Sequence, residues 1–249
     1  MTNHSVAIIG DGKMGQAIRQ LAVEHGWRVT AVVGERESAE GVGISRLSLG
    51  EPDVAVEFTQ PNASVANVTA CLRERVPVVV GTTGWYDSLP EVTRIATETG
   101  TGLLWSPNFS LGVNVLIELA RYAGKLMSTL EDFDAHIVET HHSRKKDAPS
   151  GTALAIGKAA GDPLGRPIPV TSVRTGSVPG THELIFDGSF EQLSLSHVAR
   201  DRRVFAEGAL KAAGWLVGRK GVFTMRDVLE LPSRVFGAPE TTGEISRKK

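Results

Sequence analysis

A single cysteine, Cys71, stands in the 249 residues of this chain. No intramolecular disulfide framework can therefore brace the fold, and the composition fits a reducing compartment. Cys71 itself reads as a buried apolar filler ahead of a nucleophile. Charge of one sign is also lacking: 27 basic side chains nearly cancel 28 acidic ones, so no global field gathers nucleic acid or an anionic membrane. The aromatic residues, eight Phe, two Tyr and four Trp, lack the basic interleaving of a nucleic-acid surface. No apolar run approaches the ~20 residues that a bilayer requires; Val76 to Val80 is among the longest. The first residues, Met1-Thr2-Asn3-His4, lead straight into a strand-like segment rather than a charged and then apolar leader. The expectation is a cytoplasmic protein with no nucleic-acid and no membrane partner, whose attraction for any anion is local.

What is present is enough apolar residue, 41%, for one large or two modest cores. From Ser5 to about Gly100, short apolar runs alternate with helix-period segments, the pattern of a βαβ array around a parallel sheet. Strands are expected at Val6 to Ile9, Arg28 to Val33, Val54 to Phe58, Val76 to Val80 and Leu103 to Trp105. Met14, Ile18, Leu21 and Ala22 have helical spacing, and Gly26 stands where a helix stop belongs. After Pro107 the pattern changes. Leu111 to Met127 reads as one long amphipathic helix, and Phe133, Ala135 and Ile137 alternate as in a half-buried strand. Alternating runs at Val170 to Arg174, His182 to Phe186 and Leu193 to His197 follow without helices between them, which predicts a mixed or antiparallel sheet. A helix over Val204 to Val217, a short strand over Val222 to Met225 and an irregular polar tail from Pro232 to Lys249 complete the chain.

Gly10-Asp11-Gly12-Lys13-Met14-Gly15 fits the G-x-G-x-x-G pattern between a strand and a helix, where a dinucleotide fingerprint belongs. The first glycine permits a tight turn, the second lets backbone approach a pyrophosphate, and the third allows close helix packing. The helix start supplies N–H groups and a positive dipole end. Roughly 20 residues on, where a ribose-binding acid is expected, stand Glu35 and Arg36. Glu35 suits the ribose hydroxyls of NAD and Arg36 the 2′-phosphate of NADP, so the pair leaves NADH and NADPH both open. Thr59 and Gly81-Thr82-Thr83 lie in two further loops at the carboxyl ends of parallel strands, where open α/β sheets bind ligands.

The densest chemistry lies in Glu139-Thr140-His141-His142-Ser143-Arg144-Lys145-Lys146-Asp147-Ala148-Pro149-Ser150-Gly151-Thr152. Adjacent histidines on an extended chain point to opposite faces, and no Cys or third His stands nearby at zinc-like spacing, so no metal is expected. Pro149 ends the extended segment and Ser150 is a natural N-cap. The amides of Gly151 and Thr152 then form an anion cradle suited to a carboxylate.

This stretch resembles the H-H-x-x-K-x-D-A-P-S-G-T signature of the dihydrodipicolinate reductase family, matched at His141, His142, Lys145, Asp147, Ala148, Pro149, Ser150, Gly151 and Thr152. Further similarity runs through Gly81 to Gly84, Asn108 to Val115, Arg174-Thr175-Gly176 with Gly180 and His182, and Phe205 to Ala209 through Met225 to Leu229. Two departures are a glycine loop one residue shorter than the form in many relatives, and Glu57 where Asp commonly precedes Phe-Thr. The resemblance implies an NAD(P)H-dependent reductase of a small cyclic imine dicarboxylate in lysine and diaminopimelate biosynthesis. It implies His141 and Lys145 as the proton-handling groups, and His142, Lys145, Gly151 and Thr152 as substrate ligands. Cofactor contacts implied are Gly10, Asp11, Gly12, Lys13, Met14, Gly15, Glu35, Arg36, Thr59, Gly81, Thr82, Thr83, Ser106, Pro107, Asn108 and Phe109. The implied fold is α/β: a discontinuous Rossmann-type domain, 1–109 and 202–249, with an inserted α+β domain of mixed sheet, 110–201, that binds substrate and builds a homotetramer.

Overall fold

The computed structural model describes residues 4–35, 38 and 41–231; Arg36 and the tail from Pro232 onward lie outside the described residues. Five strands of the first half, β1 (Ser5–Ile9), β2 (Arg28–Val33), β3 (Val54–Glu57), β4 (Val78–Val80) and β5 (Gly102–Trp105), enter one sheet. A sixth, β10 (Gly221–Phe223), joins from far along the chain, giving the order β10-β5-β4-β3-β1-β2 with every neighbouring pair parallel. Helices cover both faces, which is why β1, β3, β4 and β5 are mostly apolar rather than alternating. On one face α1 (Lys13–Glu24) and α6 (Arg203–Leu216) pack Ile18, Leu21 and Leu210 against Val6, Ile8 and Val56. On the other, α2 (Pro61–Arg73) and α3 (Leu89–Thr99) pack Leu72, Val92 and Ile95 against Ile9, Val78 and Val80. Each such buried side chain contributes roughly 1.5–3 kcal/mol.

The second sheet is built from β6 (Asp134–His141), β7 (Val170–Arg174), β8 (Thr181–Asp187) and β9 (Gln192–Val198), in the order β7-β6-β8-β9. It is mixed: α5 (Gly151–Leu164) carries the crossover that makes β6 and β7 parallel, whereas β6 with β8 and β8 with β9 are antiparallel. With α4 (Leu111–Met127), α5 covers one face of this sheet over a core that includes Leu116, Ile137, Ile156, Leu184 and Phe186. Glu118 of α4 pairs with Arg226 of α7 (Met225–Val228), tying the helix layer of the mixed sheet to the end of the first sheet.

Element ends differ from the sequence expectation in two informative places. The strand expected from Val76 begins at Val78, because Pro77 has no N–H to give to a ladder, although its carbonyl accepts from Ala55 N. The strand expected to reach Met225 stops at Phe223, because Thr224 and Asp227 form a capping box that starts α7. Gly26 does mark the end of α1, with φ of 76° just past the cap at His25.

Candidate active site

The glycine turn lies between β1 and α1. Gly10 has φ of 108°, and a Cβ there would meet the Phe58 carbonyl oxygen at 2.0 Å; one on Gly15 would meet the Gly10 oxygen at 1.8 Å. At Gly12 nothing lies within 4 Å of that position, so the turn is open at the point where a ligand's phosphates approach. No side chain caps the start of α1, whereas Ser110 and Ser150 cap α4 and α5. The first-turn amides of α1 are thus left for an anion. A cavity of about 1080 Å³ runs from this turn past Glu35, Thr59, Gly81, Thr82 and Thr83. Gly81 makes room for the Phe58 ring, since a Cβ there would fall 2.0 Å from it and the ring would have to move. This cradle fits a dinucleotide: glycines at the close approaches, uncapped amides at a helix start, and a carboxylate and hydroxyls along the cleft.

Beneath the cleft sits Glu57, fully buried at the end of β3. Its carboxylate accepts from Ser64 Oγ at 2.9 Å, from Thr82 Oγ1 at 3.1 Å and from Thr59 Oγ1, while Thr82 Oγ1 accepts from Thr59 N at 2.8 Å. One carboxyl group therefore joins the loops after β3 and β4. Burial pushes it above the ordinary glutamate range, against those hydrogen bonds.

Residues 106 to 109 are placed differently from the rest of the expected cofactor set. Ser106 and Pro107 line a smaller cavity of about 200 Å³ beside Ile117, Glu118 and Arg121. Phe109 is buried in the core against Phe58, with ring centroids 5.8 Å apart. Asn108 reaches the other way: its Nδ2 donates to Thr152 Oγ1 at 3.1 Å. That bond fixes the start of α5 to the segment leaving β5.

Strand geometry builds the rest of the site. Along β6 the buried positions alternate as Ala135, Ile137, Glu139 and His141, so one face passes from apolar to ionisable at its far end. Register sets Ser172 and Arg174 of β7 beside Glu139 and His141, and His182 of β8 opposite Glu139. Glu139 is sealed from solvent and accepts from Arg174 Nη2 at 2.6 Å, from Ser150 N at 3.3 Å and from His141 Nδ1. His182 Nε2 meets the Ser150 hydroxyl at 3.1 Å, and its ring packs edge-on to His141 with centroids 5.1 Å apart. Ser150 caps α5 by accepting from Ala153 N. Gly151, exposed at the helix start, has nothing within 4 Å of its Cβ position. Lys145 reaches both oxygens of Asp147 at 2.7 and 2.8 Å, and half-buried His142 has an unpartnered Nδ1.

Local sequence reading placed His141, His142, Lys145, Gly151 and Thr152 here, but gave no role to Glu139, Arg174 or His182. It also saw no third metal-type ligand, whereas the fold brings ligand atoms of Glu139, His141 and His182 within 4.8 Å of one another. The guanidinium of Arg174 on the same carboxylate opposes a further cation, so we assign no metal to them.

Burial is the largest influence on all three groups. It depresses His141, against the opposing pull of Glu139, and holds His182 down at about 4. Burial alone would raise Glu139, but hydrogen bonds from Arg174 and His141 outweigh it and hold the carboxyl at about 2. The cluster thus carries an ionised glutamate, a guanidinium and two neutral imidazoles at neutral pH.

Residues 4–109 match the family described as dihydrodipicolinate reductase, N-terminus, and residues 112–229 match dihydrodipicolinate reductase, C-terminus. A 4-hydroxy-tetrahydrodipicolinate reductase of Christiangramia forsetii is 35% identical over 237 residues, covering 90% of this chain and 97% of the relative. One of Methanoregula boonei is 37% identical over 252 residues, covering 91% and 98%. Among solved structures, a dipicolinate-bound dihydrodipicolinate reductase from Paenisporosarcina sp. TG-14 shares the fold, with a TM-score of 0.76 at 23% identity, covering 91% of this chain and 99% of that one. The chain belongs to the dihydrodipicolinate reductase family.

Proposed function

We propose that this chain reduces 4-hydroxy-tetrahydrodipicolinate, or the dihydrodipicolinate formed from it by loss of water, to tetrahydrodipicolinate in lysine and diaminopimelate biosynthesis. The observation that carries this reading is the Asn108–Thr152 hydrogen bond. It ties a helix start able to grip a carboxylate to a segment leaving the nucleotide-binding sheet, beside His141, His142 and Lys145.

When bound, NADH or NADPH supplies the hydride. The conjugated cyclic imine then needs one proton from the protein for balance, delivered as charge moves toward the ring nitrogen; when the 4-hydroxy form is the substrate, its hydroxyl leaves as water in the overall reaction. Lys145 is the proposed donor, with His141 handling protons beside it. The amides of Gly151 and Thr152, with His142 and Lys145, hold the two carboxylates so that the reacting carbon faces the nicotinamide. Asp11, Gly12, Lys13 and Met14 line the cavity that would take the pyrophosphate, and Thr59, Thr82 and Thr83 its far end. Glu35 at the same cavity suits the ribose hydroxyls of NADH, and NADPH remains an alternative through Arg36.

In this reading 1–109 and 202–249 form the cofactor lobe and 110–201 the substrate lobe. The face of the mixed sheet turned away from α4 and α5 carries Val138, Val173, Ile185 and Val198, with Val173 and Val198 exposed. Such a face supports assembly into a homotetramer through that sheet. The single cysteine supports a cytoplasmic location.

The test is oxidation of NADH and of NADPH on adding the cyclic imine made from aspartate semialdehyde, with the ratio of the two kcat/KM values as the cofactor preference. Lys145→Ala and His141→Ala are each expected to cut kcat by roughly 10²-fold or more. Folded variants with near-normal turnover would remove those roles, and a wild-type protein inactive with both cofactors would remove the reading.

A further inference from the structure

Glu139 is too deeply buried to touch a ligand, yet it is the hub of the substrate side. Its own strand gives it His141, two residues on; β7 gives it Arg174, and α5 gives it the Ser150 amide. Arg174 spends its remaining contacts on structure: Nη1 donates to Val173 O at 2.8 Å, and Nη2 also donates to Asp147 O at 2.6 Å, in the loop that carries Lys145. The other groups facing His141 are Lys145 of that loop, itself paired with Asp147, and His182 of β8.

We propose that Glu139 and Arg174 are an opposed pair of positioning residues for His141. Glu139 fixes the ring as the Nδ1–H tautomer with Nε2 free, and Arg174 takes up enough of the carboxylate's charge that the ring is not locked as an imidazolium. The inference rests on the proton-handling role given to His141 above.

The tautomer follows from chemistry. An ionised carboxylate has no proton to give, so the hydrogen bond between His141 and Glu139 must be donated by Nδ1–H. That leaves the lone pair of neutral His141 on Nε2, which has no hydrogen-bond partner among the described residues. A Cβ on Gly180 would stand 3.0 Å from that nitrogen, so a side-chain-free residue is what keeps it open. Without Arg174, a bare buried carboxylate against the ring would draw a proton onto it and leave the lone pair filled at neutral pH. With Arg174 alone and no carboxylate, nothing would choose between the two ring nitrogens.

The test is the His141 ring titration, read by NMR on histidine-labelled protein, together with the pH profile of kcat. Arg174→Gln is expected to move the His141 midpoint up by about one pH unit or more. Glu139→Gln is expected to move it down, because the amide oxygen goes to Arg174 and its NH₂ group faces Nδ1. That reversed tautomer should lower kcat by about 10²-fold with little change in KM, and Glu139→Asp should restore part of the loss. Midpoints that stay put, or move in the same direction in both variants, overturn the proposal. If Glu139→Gln does not fold, Arg174→Gln decides alone: upward supports, unmoved or downward refutes. Opposed NMR shifts with an unmoved kcat profile would uphold the pair's control of the ring and instead reject the proton role of His141.

Discussion

Replacing His182 by glutamine removes one titrating group from beneath the α5 helix start while keeping an acceptor for the Ser150 hydroxyl. His182 is 4% exposed, its Nε2 is 3.1 Å from Ser150 Oγ, and its Nδ1 has no partner. A proton added to it would be buried, beside His141 and near Lys145, which is why its pKa falls from 6.5 to about 4. Each tenfold change in proton affinity is worth ~1.4 kcal/mol, so the neutral ring is linked to about 3 kcal/mol of stability. The sign follows from the depressed folded value: this stability is fully present above the unfolded pKa of 6.5 and is lost as pH falls through about 4. Between neutral pH and pH 5 the wild-type protein should lose about 2 kcal/mol through this group alone. His182→Gln should not show that part of the loss, whatever its stability at neutral pH. Urea unfolding at about pH 7.5, 6 and 5 measures both proteins, and carboxylates common to the two cancel in the comparison. Parallel stability curves across that range would refute the assignment of a buried neutral imidazole at position 182.

Glu57→Gln tests the hub beneath the cofactor cleft. Burial raises the Glu57 carboxyl in the folded state, so its contribution to stability is fully present below its unfolded pKa and is lost as pH rises through the folded value. The wild type should therefore lose thermal stability relative to Glu57→Gln as pH is raised from about 4 toward 8, and a gap that stays constant argues against a strained carboxylate. Gly151→Ala separates structure from binding at the anion cradle: the site has open space and alanine is the better helix former, so stability should hold or rise by up to ~1 kcal/mol. The added methyl would nevertheless stand where a bound carboxylate approaches the amide, so KM for the cyclic imine should rise by about tenfold, roughly one charge-assisted hydrogen bond held off its donor. An unchanged KM would mean that the Gly151 amide does not meet a carboxylate.

Much of this arrangement was legible because it is local. The Ser150 cap depends on a few consecutive residues, and the nearly continuous apolar runs of β1, β3 and β4 declare a sheet covered on both faces. The alternation at Ala135 and Ile137 also contained more than the apolar reading took from it. Continued by two and by four residues, the same period puts Glu139 and His141 on the helix-covered face. What local pattern cannot supply is register. Glu139 meets His182 and Ser172 only because β6 pairs with β8 and β7 at particular offsets, and a slip of one residue would turn each partner to the other face. The Asn108–Thr152 contact joins residues 44 positions apart, and neither residue type marks it beforehand. Glu57 was visible only as a departure from the aspartate of its relatives, since its three hydroxyl donors come from two loops and a helix.

The polar end of the mixed sheet would be unstable in isolation. A carboxylate with no solvent exposure carries a desolvation cost of several kcal/mol that only a close cation and aligned donors can offset. Here the offset is supplied by Arg174, the Ser150 amide and His141, and each of these is held by something else. Arg174 is anchored on Val173 O and Asp147 O, Ser150 is fixed as the α5 cap, and His141 lies in the β6 ladder above Ile137, Leu184 and Phe186, which are wholly buried. Loss of Arg174 removes the cation that offsets the buried carboxylate, and loss of the Ser150 amide or of His141 removes a donor to it, so the cluster has one low-energy arrangement. That rigidity fits the proposed site, in which a ring nitrogen, an ammonium and two helix amides would meet a small dianion in fixed relation. It also means that the proposed proton role of His141 and the stability of the cluster depend on the same buried groups, so both should shift together when Arg174 is replaced.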